Sequence, residues 1–285
     1  MSTIETGTAV DTDQWRSDFF GDVNEMPPEP VSLIAEVLEA MSSEPGFRAA
    51  RRALIQDLRL SEGGHVAEVG CGTGAALPDL LGAVGAGGLV SGADPSRPFL
   101  ERARERASRL GAGAAYEEAD GRKLPWADAS FDAAFCDKVL VHVSPPGQVI
   151  SEMARVTRPG GRVGALEWLP RFTISCTDPD LAERYNDVYR MAVCDYQVSA
   201  NLERHLQDCG LVEVAGNTHL AHAASLDDHP FWRLFLIEQI PLFAHAGLIS
   251  EEDGARFAAD IEELSRRGAF SAAFMIRTAA GTVPA

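Results

Sequence analysis

The segment Val66-Ala67-Glu68-Val69-Gly70-Cys71-Gly72-Thr73-Gly74 constrains the fold more than any other part of the chain. Its first half reads as a buried strand. The alternating glycines that follow make a turn where missing Cβ atoms let a ligand approach the backbone closely. A helix opening at such a turn points its unpaired amides and positive dipole end into the gap. A glycine-rich turn without a ligand is the plain alternative. Gly70-x-Gly72-x-x-Ala75 also satisfies the permissive dinucleotide pattern, with Asp94 at about the right distance downstream.

From this strand onward, strand and helix signals alternate. A helix to Leu81, a strand over 88–93 ending in Asp94-Pro95-Ser96, and a helix over 98–110 are expected in turn. Short strands at 115–118 and 131–136, a helix at 148–156 and a strand at 162–167 follow. Such alternation implies βαβ units, a mainly parallel sheet, and ligands at the carboxyl ends of its strands. Ahead of it, residues 1–26 are polar, and two helices are expected at 31–41 and 47–58. After residue 170 the rhythm changes: one or two helices over 178–209, a strand at 211–220, an insert at 227–267 with an aromatic run, and a strand at 270–278.

Five motifs then stand in one order over about residues 60–170: Glu68-x-Gly70-x-Gly72-x-Gly74; Asp94 at the end of the second strand; Ala119-Asp120-Gly121 after the third; Leu124-Pro125-Trp126-Ala127-Asp128-Ala129-Ser130-Phe131-Asp132; and Arg158-Pro159-Gly160-Gly161 before the fifth. Together they resemble the class I S-adenosylmethionine-dependent methyltransferases, in particular the small-molecule enzymes grouped with the ubiquinone/menaquinone C-methyltransferases. Trp126 stands where that family's signature has Phe. The resemblance implies a Rossmann-like α/β fold, with a seven-stranded, mostly parallel sheet whose last strand is antiparallel and inserted beside the sixth. It divides the chain into an N-terminal helical segment (1–60), a cofactor-binding core (61–170), and lid helices with the final two strands of the same domain (171–285).

The resemblance also implies S-adenosyl-L-methionine as cofactor, S-adenosyl-L-homocysteine as product, and a cofactor site made by Glu68, Gly70, Cys71, Gly72, Asp94, Pro95, Ser96, Asp120, Gly121, Asp137, Lys138 and His142. Asp94 would accept the ribose hydroxyls and Asp120 would lie near the adenine amino group. The expected reaction is in-line methyl transfer to a small secondary metabolite, aromatic or polyketide-like, of the kind found in antibiotic biosynthesis. Catalysis of such a displacement is mostly positioning and desolvation. A base helps if the acceptor is a hydroxyl or acidic carbon, and His142, after the fourth strand, is the candidate; a structural or cofactor-contacting histidine is the alternative. Relatives of this fold that cyclise or isomerise around the sulfonium are a second reading. A nicotinamide-dependent oxidoreductase is a third, against which the Asp120 loop and the Arg-Pro-Gly-Gly turn argue.

Acceptor contacts are sought in Glu167, ending the fifth strand, and in Tyr185, Tyr189 and Trp232 of the lid; contact with a lid helix and plain aromatic core are the alternatives. Tyr196 and His229 belong to the same aromatic set. Arg48 or Arg51 could pair with the carboxylate of the cofactor's methionine part, against a solvated helix face. No metal is expected. His219 and His222 sit three apart in a strand, where they point to opposite faces, while Asp178-Pro179-Asp180 and Asp227-Asp228 read as a helix cap and a turn. Cys71 and Cys136 read as packing residues.

Charge narrows the partners. Asp and Glu total 42 against 25 Lys and Arg, a net of −17, which disfavours nucleic acid and anionic membranes. With no stretch of 18 apolar residues, no membrane span is expected. Five cysteines without a C-x-x-C pair suit reduced thiols, and the opening 20 residues lack an apolar leader. A cytoplasmic monomer or homodimer acting on a neutral or cationic small molecule is therefore expected.

Overall fold

The computed structural model describes residues 23–285. The expectation for the first 26 residues lies almost wholly outside the described residues. Seven strands form one sheet in the order β3-β2-β1-β4-β5-β7-β6. They are β1 (His65–Val69), β2 (Leu89–Asp94), β3 (Ala114–Glu118), β4 (Phe131–Asp137), β5 (Thr157–Ile174), β6 (Val212–Ala223) and β7 (Ala272–Thr282). Strands β1 to β5 pair in parallel, and β7 runs antiparallel to both neighbours, β5 and β6. No helix among the described residues is long and apolar enough to cross a membrane.

The central strand β1 is buried at four of its five positions. Alternation sends Val66 to one face of the sheet and Ala67 and Val69 to the other. On the first face pack α1 (Pro28–Ser43), α2 (Pro45–Asp57) and α3 (Leu77–Val84), through Phe47, Leu54, Leu77 and Leu80. On the second face pack α5 (Pro146–Val156) and α7 (Leu202–Asp208), through Val149, Met153, Leu202 and Leu206. Each such side chain contributes roughly 1.5–3 kcal/mol by leaving water. Helix α4 (Arg97–Leu110) starts with Ser96 as N-cap, whose hydroxyl accepts the Phe99 amide, and ends on Gly111 at φ 60°.

Because β1 pairs with β2 on one side and β4 on the other, the chain leaves β1 and β4 toward opposite ends of the sheet. A crevice opens between those two exits. Three expectations are refined. Strand β5 runs 18 residues, well past Glu167, because its outer half pairs with β7 as far as Ile174 opposite Ala272. The one or two helices expected over 178–209 are two: α6 (Pro179–Met191) is followed by a loop and a 3₁₀ turn before α7. The insert folds as α8 (Pro230–Arg233), a π-helical turn Leu234–Glu238, α9 (Ile240–His245) and α10 (Glu251–Arg266).

Candidate active site

The turn after β1 is left-handed three times over, with Gly70 at φ +68°, Gly72 at +50° and Gly74 at +69°. The first and third glycines are needed for packing: a Cβ on Gly70 would overlap Val139, and one on Gly74 would crowd Ala103 and the Tyr116 hydroxyl. Gly72 differs, since a Cβ there would meet nothing within 4 Å. Its bare face opens into a cavity. Asp94 holds this turn: Oδ2 accepts the Gly72 amide at 2.8 Å and Oδ1 the Ser96 amide at 2.9 Å. Burial pushes the Asp94 carboxyl up to about 6, against the pull of those two amides.

The cavity encloses about 230 Å³. Glu68, Gly70, Cys71 and Gly72 line it from the first turn, and Asp94 and Pro95 from the second. Asp120 and Gly121 line it from the third, and Asp137, Lys138 and His142 from the fourth. Ser96 is not in the wall; its side chain is spent on capping α4. Val69, Thr73, Ala75, Ala76, Val139 and Val143 line it beside these, and Leu38 and Ser42 of α1, with Phe99 and Arg122, join them. Sequence reasoning missed the last four. Only Arg122, two residues from Asp120, had a local signal, and its guanidinium grips both Asp120 oxygens at 3.0 Å from Nε. That hydrogen bonding holds the Asp120 carboxyl below its ordinary range.

At the other end of the cavity the chemistry is denser. Arg51 is 2% exposed, which corrects the expectation of a solvated helix face. Its Nε and Nη2 donate to Asp79 Oδ2 at 3.1 and 2.9 Å, Nη2 also donates to the Ser42 carbonyl at 2.9 Å, and Nη1 reaches Asp137 at 3.4 Å. Arg52 and Arg48 approach the same Asp79. Lys138, at φ 64°, pairs with Asp137 and lies 5.7 Å from the Phe47 ring centre. Burial alone would raise the Asp137 carboxyl, yet Lys138 and Arg51 hold it below its usual value. Glu68 Oε2 is buried without a hydrogen bond, and burial together with Asp137 outweighs the pull of Arg51 and Lys138 and pushes the carboxyl up to about 8. A buried acceptor left over beside an open glycine fits a ligand that brings an ammonium group and hydroxyls.

A second, apolar cavity of about 100 Å³ adjoins the first. Leu38, Lys138 and His142 line both. Its remaining walls are Ile34, Val37 and Met41 of α1, Trp168 of β5, Tyr189, Ala192 and Val193 at the end of α6, and Phe235, Gln239, Leu242 and Phe243 of the insert. His142 therefore sits on the boundary between the two spaces. Burial lowers its pKa to about 4, so the imidazole is neutral at neutral pH.

Three expected acceptor residues are placed elsewhere. Glu167 lines neither cavity. It is fully buried, and its Oε1 accepts the Val139 and Leu140 amides at 2.9 and 2.7 Å, so it clasps the loop that carries Lys138 and His142. Tyr185 stacks on Phe257 at 3.8 Å and donates its hydroxyl to the Leu236 carbonyl at 2.6 Å, which makes it core. Trp232 is likewise fully buried, against Phe231 and Phe274. Of the lid aromatics named from sequence, Tyr189 alone faces a cavity. Tyr196 and His229 line neither; the His229 ring caps α8 by accepting the Phe231 amide.

Asp178 caps α6 and Asp228 closes a turn on the Ala224 and Ser225 amides. Among the described residues, no group of three His, Cys, Asp or Glu side chains is placed to hold a metal ion. Burial pushes the Cys71 and Cys136 thiols up, out of the nucleophilic range.

Residues 67–165 match the methyltransferase domain family. The chain is 33% identical over 193 residues to the methyltransferase GfsG of Streptomyces halstedii, covering 66% of this chain and 63% of that one. It is 29% identical over 185 residues to the O-methyltransferase resE of Aspergillus sclerotiorum, covering 60% and 69%. The chain spans about half to two thirds of the length of the curated relatives it matches. Among solved structures, the YcgJ protein of Bacillus subtilis superposes with a TM-score of 0.60 at 16% identity, covering 84% of this chain and 99% of that one; this likeness is one of fold.

Proposed function

The chain carries a class I S-adenosylmethionine-dependent methyltransferase domain, and from that premise we propose that it methylates a hydroxyl group of a small secondary metabolite. The observation that carries this reading is the meeting of a glycine-edged cavity bearing several carboxylates and an apolar one at His142. The O-methyltransferase relative supports oxygen as the acceptor atom.

In the larger cavity, Glu68 and Asp137 would face the cofactor's amino acid end, Asp94 its ribose hydroxyls, and Asp120 with Gly121 its base. Bound there, S-adenosylmethionine supplies a methyl group on a sulfonium, whose carbon–sulfur bond breaks with its electron pair left on sulfur. The chain's residues supply position and a proton acceptor. Leu38 and the aromatic walls keep water from the junction, and a neutral His142 takes the hydroxyl proton at a ring nitrogen. An imidazole with a pKa of about 4 is too weak to ionise a hydroxyl in advance. It suffices once the new carbon–oxygen bond has made that proton strongly acidic, so proton transfer trails bond formation.

Calorimetry with S-adenosylhomocysteine tests the cofactor assignment. Binding in the micromolar range is expected, weakened at least tenfold, about 1.4 kcal/mol, in Asp94→Ala. Absence of heat at high micromolar ligand refutes it. Incubation with methyl-labelled cofactor and hydroxylated aromatic compounds, read by product mass, then tests transfer.

A further inference from the structure

The apolar cavity also carries information about the acceptor itself. We infer that it receives a neutral, single-ring-sized apolar portion of the acceptor and rejects cationic amines; this rests on the cofactor reading above. Size comes first. About 100 Å³ is on the order of the dry, apolar cavities of ~150 Å³ that hold one benzene ring.

Charge comes second. Among the described residues, no Asp or Glu side chain lines this cavity. Aromatic faces alone can attract a cation, but Lys138 lies in the same wall and repels one. Asp137, which pairs with Lys138 through Oδ1 and with Arg51 through Oδ2, lines only the cofactor side. An ammonium group entering here would lose its hydration with no counter-charge to replace it.

Polarity comes third. The Tyr189 hydroxyl is spent on the Phe235 carbonyl at 2.5 Å, so the residue presents its ring, stacked on Phe235 at 4.4 Å between centres. Trp168 adds its edge, 6.0 Å from Tyr189 and 5.7 Å from Phe235. Gln239 is left as the neutral polar side chain of the wall away from the junction, its amide nitrogen 3.4 Å from the Phe235 carbonyl. The net charge of −17 suggested a neutral or cationic molecule; the lining selects the neutral one.

A matched pair of probes tests this on the full chain saturated with S-adenosylhomocysteine: 4-ethylphenol and tyramine, which share a ring and differ by an ammonium group. Calorimetry is expected to show 4-ethylphenol binding at least tenfold tighter. Gln239→Glu, isosteric and half-buried, should improve tyramine at least tenfold. Ala192→Trp, which fills the cavity, should abolish 4-ethylphenol binding and leave the S-adenosylhomocysteine affinity unchanged. Tyramine binding as tightly as 4-ethylphenol to the unaltered protein overturns the inference. So does undiminished 4-ethylphenol binding in Ala192→Trp, or no binding of either probe to the loaded protein. Failure of S-adenosylhomocysteine itself to bind overturns the cofactor reading instead, which keeps the two failures apart.

Discussion

Glu167 gives the sharpest test of how the site is held together. Its Oε1 accepts the Val139 and Leu140 amides, and its Oε2 is buried without a partner. Glu167→Ala leaves two buried N–H groups unpaired, at roughly 1–3 kcal/mol each, against a domain stability of roughly 5–15 kcal/mol. Glu167→Gln keeps an oxygen for both amides and is a neutral copy of the protonated acid. The two variants separate through pH. Burial raises the carboxyl from 4.5 to about 8, against the pull of the two amides. The native state thus keeps this proton to a higher pH than the unfolded chain does. Its stabilisation is complete below pH 4.5 and is lost as pH rises through 8. At 1.36 kcal/mol per pKa unit the loss is at most about 5 kcal/mol. Glutamine does not titrate, so Glu167→Gln should match the parent protein near pH 5 and exceed it by several kcal/mol at pH 9. Urea unfolding followed by circular dichroism at both pH values measures this, and Glu68, present in every variant, cancels from the differences. Parallel pH dependence of the parent and Gln variant refutes the buried-acid argument. An Ala variant as stable as the Gln variant refutes the loop clasp.

The glycine turn should respond position by position. Gly72→Ala costs about 1–2 kcal/mol for its left-handed backbone and should fold, yet lose most S-adenosylhomocysteine affinity because its face opens on the cavity; undiminished binding contradicts that placement. Gly70→Ala carries the same strain plus an overlap with Val139, so thermal unfolding should show the larger fall in Tm. For His142, with its pKa at about 4, the imidazole proton resonances, assigned by their loss in His142→Gln, should hold their neutral positions from pH 8 down to about 5. A midpoint near 6.5 contradicts the burial argument.

The order of motifs along the chain, with the resemblance it carries, was sufficient to determine the sheet class, the cofactor class and about half of the first cavity's lining. These signals are local. A left-handed glycine, an acid at a strand end or a Pro-Gly-Gly turn does its work within a few residues of itself, so neighbours in sequence report it. Which residue faces which space is set by elements far apart in the chain. Tyr185 and Tyr189 lie one helical turn apart on α6, yet one is locked against Phe257 while the other stacks on Phe235 and faces the apolar cavity, because the insert brings a different ring to each. Arg51 looks like one of three arginines on a surface helix until Asp79 and Asp137 arrive from two other segments and bury it. Glu167 reads from sequence as a strand end, where an acceptor contact would lie, but it sits inside β5 and the β4 exit loop lies over it with two amides to satisfy. The sequence by itself determined what ligand the fold is made to hold. Tertiary packing decided what surrounds His142, because burial and charge there are sums over groups drawn from the whole chain.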